Sequence, residues 1–535
     1  MAKEAVRLEK RRHMDRRTIR NITIVGGGTA GWLAALYAKT TMPTKVVTLV
    51  ESKSIPTIGA GEGTTPPFVG LLDVLEIPVS RFVRETGSTI KNGIKFTNWN
   101  NGGDKDVFYN SFSAFGNLSP FALSIERYAA GTVPLYGFSV ANGDDQQIYD
   151  FSAAISKENK VPFRVKTNES YSIENPIFQY EQMGSFALHF DSSKIVKVLK
   201  EIALERGIIH IEGDVVDFEE NEKGEISKLT LEHGAGIDTD FIFDCSGMGS
   251  FFTEKFDSEF VSHKEYLTVN SAMPFFIDME TPIAPYTEAI AMKYGWVWKI
   301  PLQDQYRCGY VFDSNYISNE EARQEIIDYL GYEPEWPRED SIKFEAGYLK
   351  KPWQKNVISV GLSAGFIEPL EATSIWVAIL SLARVLGNSE GLYKIDDRLR
   401  DDYNSYSEKL HSKVASFIYL HYMSGRDDTD FWKHYTRENA PEYLDKMLNI
   451  VETRNLVFED IAPDDLFTID AWFNILLGIK NEFVIQNLKD FEFYNFARSH
   501  LSNNYHFYKD TIKHVTEFEA INHDDFLEAL KRDLE

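Results

Sequence analysis

Asn21-Ile22-Thr23-Ile24-Val25-Gly26-Gly27-Gly28-Thr29-Ala30-Gly31 decides the fold of this chain. Its first five residues are a β-branched, strand-like run that stops at a glycine cluster. An alanine-rich helical stretch, Trp32–Lys39, follows at once, and a second apolar strand, Lys45–Val50, ends in Glu51. Strand, glycine turn, helix, strand and acid make the βαβ unit that cradles the ADP half of a dinucleotide. Gly26, Gly28 and Gly31 give the tight turn and the close backbone approach, with Thr29 and Ala30 at the helix start. The helix N-terminus faces the pyrophosphate, and Glu51, twenty residues after Gly31, accepts from ribose hydroxyls.

Two later stretches read as returns to the same sheet. Phe241-Ile242-Phe243-Asp244-Cys245-Ser246-Gly247 is an apolar strand ending in small residues, and Val357–Gly365 closes on Gly361-Leu362-Ser363-Ala364-Gly365. Small residues at a strand end let amides approach a cofactor, which places Gly361 and Gly365 with the glycine cluster. Residues 105–350 are rich in strand-like runs such as Ile208–Ile211 and Lys228–Glu232, with helices at Ser193–Arg206 and Glu320–Leu330. From about 375 the pattern turns helical and aromatic: Ile375–Leu386, Leu399–Tyr422, Tyr443–Val451 and Asp524–Leu534. The expected organisation is a leader or flexible arm at 1–18, an FAD-binding module with a β-rich substrate-side insertion at 19–374, and a helical cap at 375–535.

With 535 residues, 43% of them hydrophobic and 13% aromatic, the chain can bury a large core. Its formal charge of −25 argues against nucleic acid, whose phosphates require clustered Lys and Arg. Two cysteines, Cys245 and Cys308, supply neither a disulfide framework nor a metal site, and no metal is expected. No apolar run reaches the roughly eighteen residues of a membrane helix. A cytoplasmic protein without a membrane partner is therefore expected, with a homo-oligomer left open.

Gly295-Trp296-Val297-Trp298-Lys299-Ile300-Pro301 places two tryptophans two residues apart, hence on one side of an extended strand. Such a pair can be ordinary core, and Lys91 in Ile90-Lys91-Asn92-Gly93-Ile94-Lys95-Phe96 can be a solvent-facing lysine. Read together with Ile58-Gly59-Ala60-Gly61-Glu62-Gly63-Thr64, His189-Phe190-Asp191, Asp244–Met248, Phe366-Ile367-Glu368-Pro369-Leu370-Glu371 and Leu420-His421-Tyr422, they are more specific. In that ordered set, across about residues 19–435, the chain resembles the flavin-dependent halogenases typified by the tryptophan halogenases.

The resemblance implies an α/β fold with an FAD-binding monooxygenase-like nucleotide domain, and a two-site enzyme. FAD in its reduced form, FADH2, comes from a separate flavin reductase; O2 and halide are co-substrates, and hypohalous acid is made beside the flavin. The oxidant then passes through a tunnel to Lys91, which holds it by hydrogen bonding or as a haloamine and presents it to a small aromatic substrate. A buried amine suits this work, because burial lowers a lysine's pKa. The resemblance makes Glu371 the matching carboxylate, stabilising positive charge on the ring. By position alone Glu371 also reads as a first-turn helix acid after Pro369. Glu368 is assigned a structural role, and Lys95 is expected to share the strand face of Lys91 without its function. Trp296 and Trp298 are expected to line the oxidant channel and to wall the substrate off from the flavin.

Two departures from the family pattern bear on specificity. Members usually continue Pro-Leu-Glu-Ser-Thr-Gly, whereas this chain has Ala372, Thr373 and Ser374. Thr373 remains a halide-side contact and Ser374 replaces a glycine that seats halide, so bromide or iodide stands beside chloride. The tyrosine pair and the acid–aromatic group that grip tryptophan are not found between Asn455 and Leu477; Val457-Phe458-Glu459-Asp460 and Trp472-Phe473 stand there. In Asn110–Gly116, Phe112 and Phe115 can stack on a ring. A small indole, phenol or other activated arene is expected rather than free tryptophan. The competing readings are an FAD-dependent aromatic hydroxylase and a non-catalytic flavin-binding protein.

Overall fold

The computed structural model describes residues 19–53, 61–113, 133–165, 180–387, 395–462, 464–490 and 505–532. The expected arm at 1–18, Ile58–Ala60 of the second motif, and Phe115 lie outside these residues.

Asn21–Val25 lies at the heart of a six-stranded sheet, between Val46–Glu51 and Phe241–Asp244, with Val357–Ser359 next and Trp353–Gln354 at that edge. The first four pair in parallel. Their near-continuous apolar runs follow from helices covering the sheet, since parallel strands are buried on both sides. Both expected returns are therefore strands of the nucleotide sheet. Ile209–Glu212 is too: it pairs in parallel with Val46–Glu51 at the opposite edge, so this run belongs to the nucleotide sheet and not to the β-rich excursion. The helix Thr29–Thr41 follows the glycine cluster and packs on the helix Ser192–Glu205.

A second, seven-stranded sheet is mostly antiparallel. Its order is Ile342–Lys343, Ser271–Asp278, Gln305–Phe312, Gly295–Pro301, Thr287–Ala291, Gly93–Thr97 and Val107–Ser111. A third sheet, of three strands, has Ala187–Asp191 between Gly61–Gly63 and Thr89–Lys91. Helices also occur where few were expected, at Val133–Asn142, Gln146–Tyr149 and Phe151–Lys157.

The apolar interior divides into two large bodies. One wraps the nucleotide sheet with Ile22, Trp32, Leu49, Phe243 and Leu382. The other lies between the seven-stranded sheet and the later helices, with Phe96, Trp99, Trp296, Trp298, Phe417, Trp432 and Trp472. Its helices are Asp397–Tyr422, Glu442–Thr453 and Ile469–Gly478. Fully burying each such ring contributes about 2–3 kcal/mol, so this second body holds the large sheet and the helices as one piece. The helix His523–Arg532 returns to the first body through Phe526, Leu527 and Leu530. Among the described residues, no helix is long and apolar enough to cross a membrane.

Candidate active site

At the carboxyl end of Asn21–Val25 the chain turns through Gly26, whose φ of +116° an L side chain rarely adopts. Gly26 N–H donates to the Val50 carbonyl at 2.8 Å, drawing the turn onto the second strand. Gly28 opens on free space, with no atom within 4 Å of where a Cβ would stand. The helix that begins at Thr29 directs its unpaired amides there, as an anion requires. Gly361 sits 2.9 Å, by its would-be Cβ, from the Ala30 methyl, so the turn Gly361–Ser363 abuts the same helix start. Gly365 lies in the short strand Gly365–Phe366 just beyond. Glu51 ends its strand with Lys200 Nζ 2.6 Å away. An open cradle, a helix N-terminus and an acid at the strand end fit the phosphates and ribose of a dinucleotide such as FAD.

Glu51, His210 and Glu212 converge within 4.8 Å, yet Lys200 pairs with Glu51 and Lys53 with Glu212, which makes this an ion-pair cluster. At Gly31 a Cβ would stand 1.9 Å from the Gly26 carbonyl oxygen. Gly31→Ala is expected to cost about 1–3 kcal/mol of stability and to strip FAD, read as a lower melting temperature and a fall in flavin affinity of at least about tenfold.

Lys91 ends the strand Thr89–Lys91 and is fully buried. Its Nζ donates to the Thr64 carbonyl at 3.0 Å and lies 5.4 Å from the centre of the Phe112 ring. Burial lowers its pKa to about 8, against the opposing pull of the Glu371 charge. The register sets His189 opposite both Gly63 and Thr89. The Thr89 hydroxyl donates to the Pro301 carbonyl at 2.6 Å and so accepts from His189 Nδ1 at 3.0 Å. That leaves Nε2 to accept from the Thr287 hydroxyl at 2.9 Å. This ring is neutral: burial, and then the Lys91 charge, hold its pKa far below the usual value.

Lys95 does not share the strand of Lys91. Gly93, at φ +157°, starts a new strand, Gly93–Thr97, in a different sheet, and Lys95 pairs with Glu288 at 2.8 Å.

Glu371 comes from the other end of the chain and is nearly fully buried. It stands ahead of the helix Thr373–Leu386 with φ +66°, and Ala372 follows at φ +54°. The first-turn helix acid is thus corrected: Glu371 precedes the Ala372 cap and lies outside the first turn of this helix. Such left-handed conformations cost on the order of 1–3 kcal/mol each and persist where surroundings hold them. Here Oε2 accepts from Asn110 Nδ2 at 2.9 Å, and Oε1 lies 3.0 Å from His421 Nε2. Thr373, buried, and Ser374, half-buried, open the helix beside this turn.

Glu368, three residues earlier, is also buried, and both its oxygens accept from the Tyr422 hydroxyl at 3.0 and 3.1 Å. Burial raises its pKa to about 8. The Trp296 indole lies beside it and acts on the carboxyl as a weak donor. Trp296 and Trp298 are 2% and 7% exposed, their rings 6.4 Å apart, in the strand expected for them.

The fold therefore brings Lys91, Phe112 and Glu371 together. Sequence reading missed Asn110 as the carboxylate's donor, since the two residues are 261 positions apart. His421 and Tyr422 stood only as members of the motif Leu420-His421-Tyr422, which was the available signal.

A nucleotide sheet with a dinucleotide cradle thus shares the fold with a buried lysine and carboxylate drawn together from distant parts of the chain. The family model described as tryptophan halogenase matches residues 21–487, and the chain belongs to that family, as an FADH2-dependent oxidoreductase served by a separate flavin reductase. It is 30% identical over 438 residues to the tryptophan 7-halogenase RebH of Lentzea aerocolonigenes, covering 78% of each protein. The fold is similar to that of BrvH, a flavin-dependent halogenase from Brevundimonas sp. BAL3, at 26% identity and a TM-score of 0.79 over 96% of this chain and 99% of that one. It is also similar to a tryptophan halogenase from Shewanella frigidimarina, at 23% identity and a TM-score of 0.84 over 97% and 99%.

Proposed function

We propose that this chain transfers halogen from hypohalous acid to an electron-rich arene other than free tryptophan, with Lys91 aiming the oxidant and Glu371 serving the ring. The observation that carries the reading is a fully buried lysine held over an aromatic ring, with a buried carboxylate close enough to act on its charge. Gly26, Gly28, Thr29, Ala30, Gly31, Glu51, Gly361 and Gly365 would hold FAD, which in its reduced form would supply the two electrons that let O2, as the oxidant, turn halide into hypohalous acid with release of water. Trp296 and Trp298 line the oxidant's side of the partition.

Lys91 acts as the ammonium. A backbone carbonyl acceptor, the face of Phe112 and the charge of Glu371 all favour the cation over the amine. It donates to the oxygen of hypohalous acid. As halogen bonds to the ring carbon, the oxygen–halogen bond breaks and the oxygen leaves as water with the Lys91 proton. Glu371 stabilises the positive ring and takes the proton from the halogenated carbon, then passes it to Lys91. The balance is arene and hypohalous acid to haloarene and water.

Two features support a substrate other than tryptophan. In the stretch where the family's grip on the amino acid is expected, Phe458 is 72% exposed and Asp460 is tied to Arg454 at 2.7 Å. Trp472 and Phe473 are spent in the core, against Phe417 and Tyr136. Ser374 at the halide side supports bromide or iodide on a par with chloride.

Incubating the enzyme with a flavin reductase, FAD and each halide against indoles, phenols and tryptophan, then reading product masses, tests this. Halogenated indole or phenol is expected, at least about tenfold faster than halogenated tryptophan; a tryptophan product of equal rate with strict chloride use overturns the specificity. The pH profile tests the ammonium. Turnover is expected to fall as pH rises through about 8, where Lys91 loses its proton. A rise there would assign the work to the amine.

A further inference from the structure

We infer that His421 is a positioning residue that carries a proton shared with Glu371 and so keeps that carboxylate ionised and aimed at the ring. The inference rests on the role proposed for Glu371. It follows from which atoms can donate. His421 Nδ1 lies 2.8 Å from the Phe417 carbonyl oxygen, which only accepts, so Nδ1 carries hydrogen. Nε2 lies 3.0 Å from Glu371 Oε1. Without a further proton, a ring lone pair would face a carboxylate lone pair inside a site that excludes water, with His421 fully buried.

One proton therefore sits between them. It lies on nitrogen rather than oxygen because the other carboxylate oxygen, Oε2, already accepts from Asn110 Nδ2 at 2.9 Å, and because Lys91 acts on Glu371 as a cation. Both favour the charged carboxylate. Phe96, Trp99 and Phe417 enclose the imidazole with rings that do not titrate. Glu368, on the same loop as Glu371, is engaged by Tyr422. An imidazolium–carboxylate contact is a charge-assisted hydrogen bond, which fixes direction as well as charge.

The consequence is a division of labour around one carboxyl group: Asn110 orients one oxygen and His421 holds the charge on the other. When Glu371 takes the ring proton, the imidazolium stays where it is, and the new acid, facing that cation, releases the proton readily to Lys91, by then a neutral amine.

His421→Gln keeps a donor of similar reach and loses the ability to carry the proton; His421→Leu loses both. With bromide, an arene substrate, FAD and reductase, His421→Gln is expected to lower kcat for arene halogenation by about 10–100-fold, with arene KM within about threefold, and His421→Leu to lower it further. Hypohalous acid trapped by a 1,3-diketone scavenger should stay at the wild-type rate. A purely structural role would lower both products together, and that result overturns the inference, as does a His421→Gln enzyme within twofold of wild type. Nitrogen-15 spectra of histidine-labelled protein test the same point without any variant at His421. One ring is expected to remain doubly protonated at pH 7.5 and to lose that state in Glu371→Gln; no such ring overturns it. A wild-type enzyme that makes hypohalous acid but halogenates no arene would instead sink the reading of Glu371, while the spectra still decide the proton.

Discussion

Lys91→Met is expected to lower arene halogenation by about 1,000-fold while hypohalous acid continues to form at the wild-type rate, and to raise the melting temperature at pH 7. The first half follows from the site: the methionine fills the same volume over Phe112 but has no proton for the oxygen that leaves the halogen. The second half follows from linkage. The folded ammonium has its pKa brought from an ordinary 10.5 to about 8, so in that window the unfolded chain binds the proton and the folded chain does not. The penalty on the folded state is complete below pH 8, roughly 3 kcal/mol, and fades as pH climbs to 10.5. Thermal melts of both proteins at pH 7 and pH 10 check the sign: the gain should shrink at the higher pH. A variant that is both active and less stable would remove Lys91 from the chemistry and from its buried charged state together.

Glu371→Gln is the second large effect, an expected fall of about 100-fold in arene halogenation with flavin affinity unchanged. The amide keeps the shape and the left-handed turn but holds no negative charge against the ring. It also withdraws the one charge that raises the pKa of Lys91, so the alkaline limb of the pH profile should move from about 8 to lower pH. Measuring the limb in the residual activity separates this from a packing defect, which would weaken the enzyme without moving it. Full activity with an unmoved limb would show that the carboxylate has no electrical contact with the amine.

What was legible in the chain follows the distance over which each feature is written. The glycine turn and its acid are local, and Asn21–Glu51 folds as expected because the turn, the helix and the first parallel pair all lie within about thirty residues of one another. The tryptophan pair was equally local, and its period of two fixed the shared side of one strand. Ile209–Glu212 was readable as a strand but not as an edge of the nucleotide sheet, because pairing across 160 residues leaves no periodicity in either segment. The grip on Glu371 is the extreme case. Asn110 and His421 are ordinary polar residues in sequence, and only the left-handed turn at Glu371 and Ala372, which neither residue type advertises, points the carboxylate at them.

The closing helix has a bearing on how this enzyme is made. Its first residue, His523, fully buried, accepts at Nε2 from the backbone N–H of Ile90 at 2.9 Å, the residue before Lys91, across 433 positions. That bond adds to the antiparallel pairing of the strand with Ala187–Asp191, so the strand bearing the amine is held from two sides, one of them only once residue 523 is in place. Chains interrupted before residue 521 would keep the glycine turn and lose this hold on the strand that bears the amine.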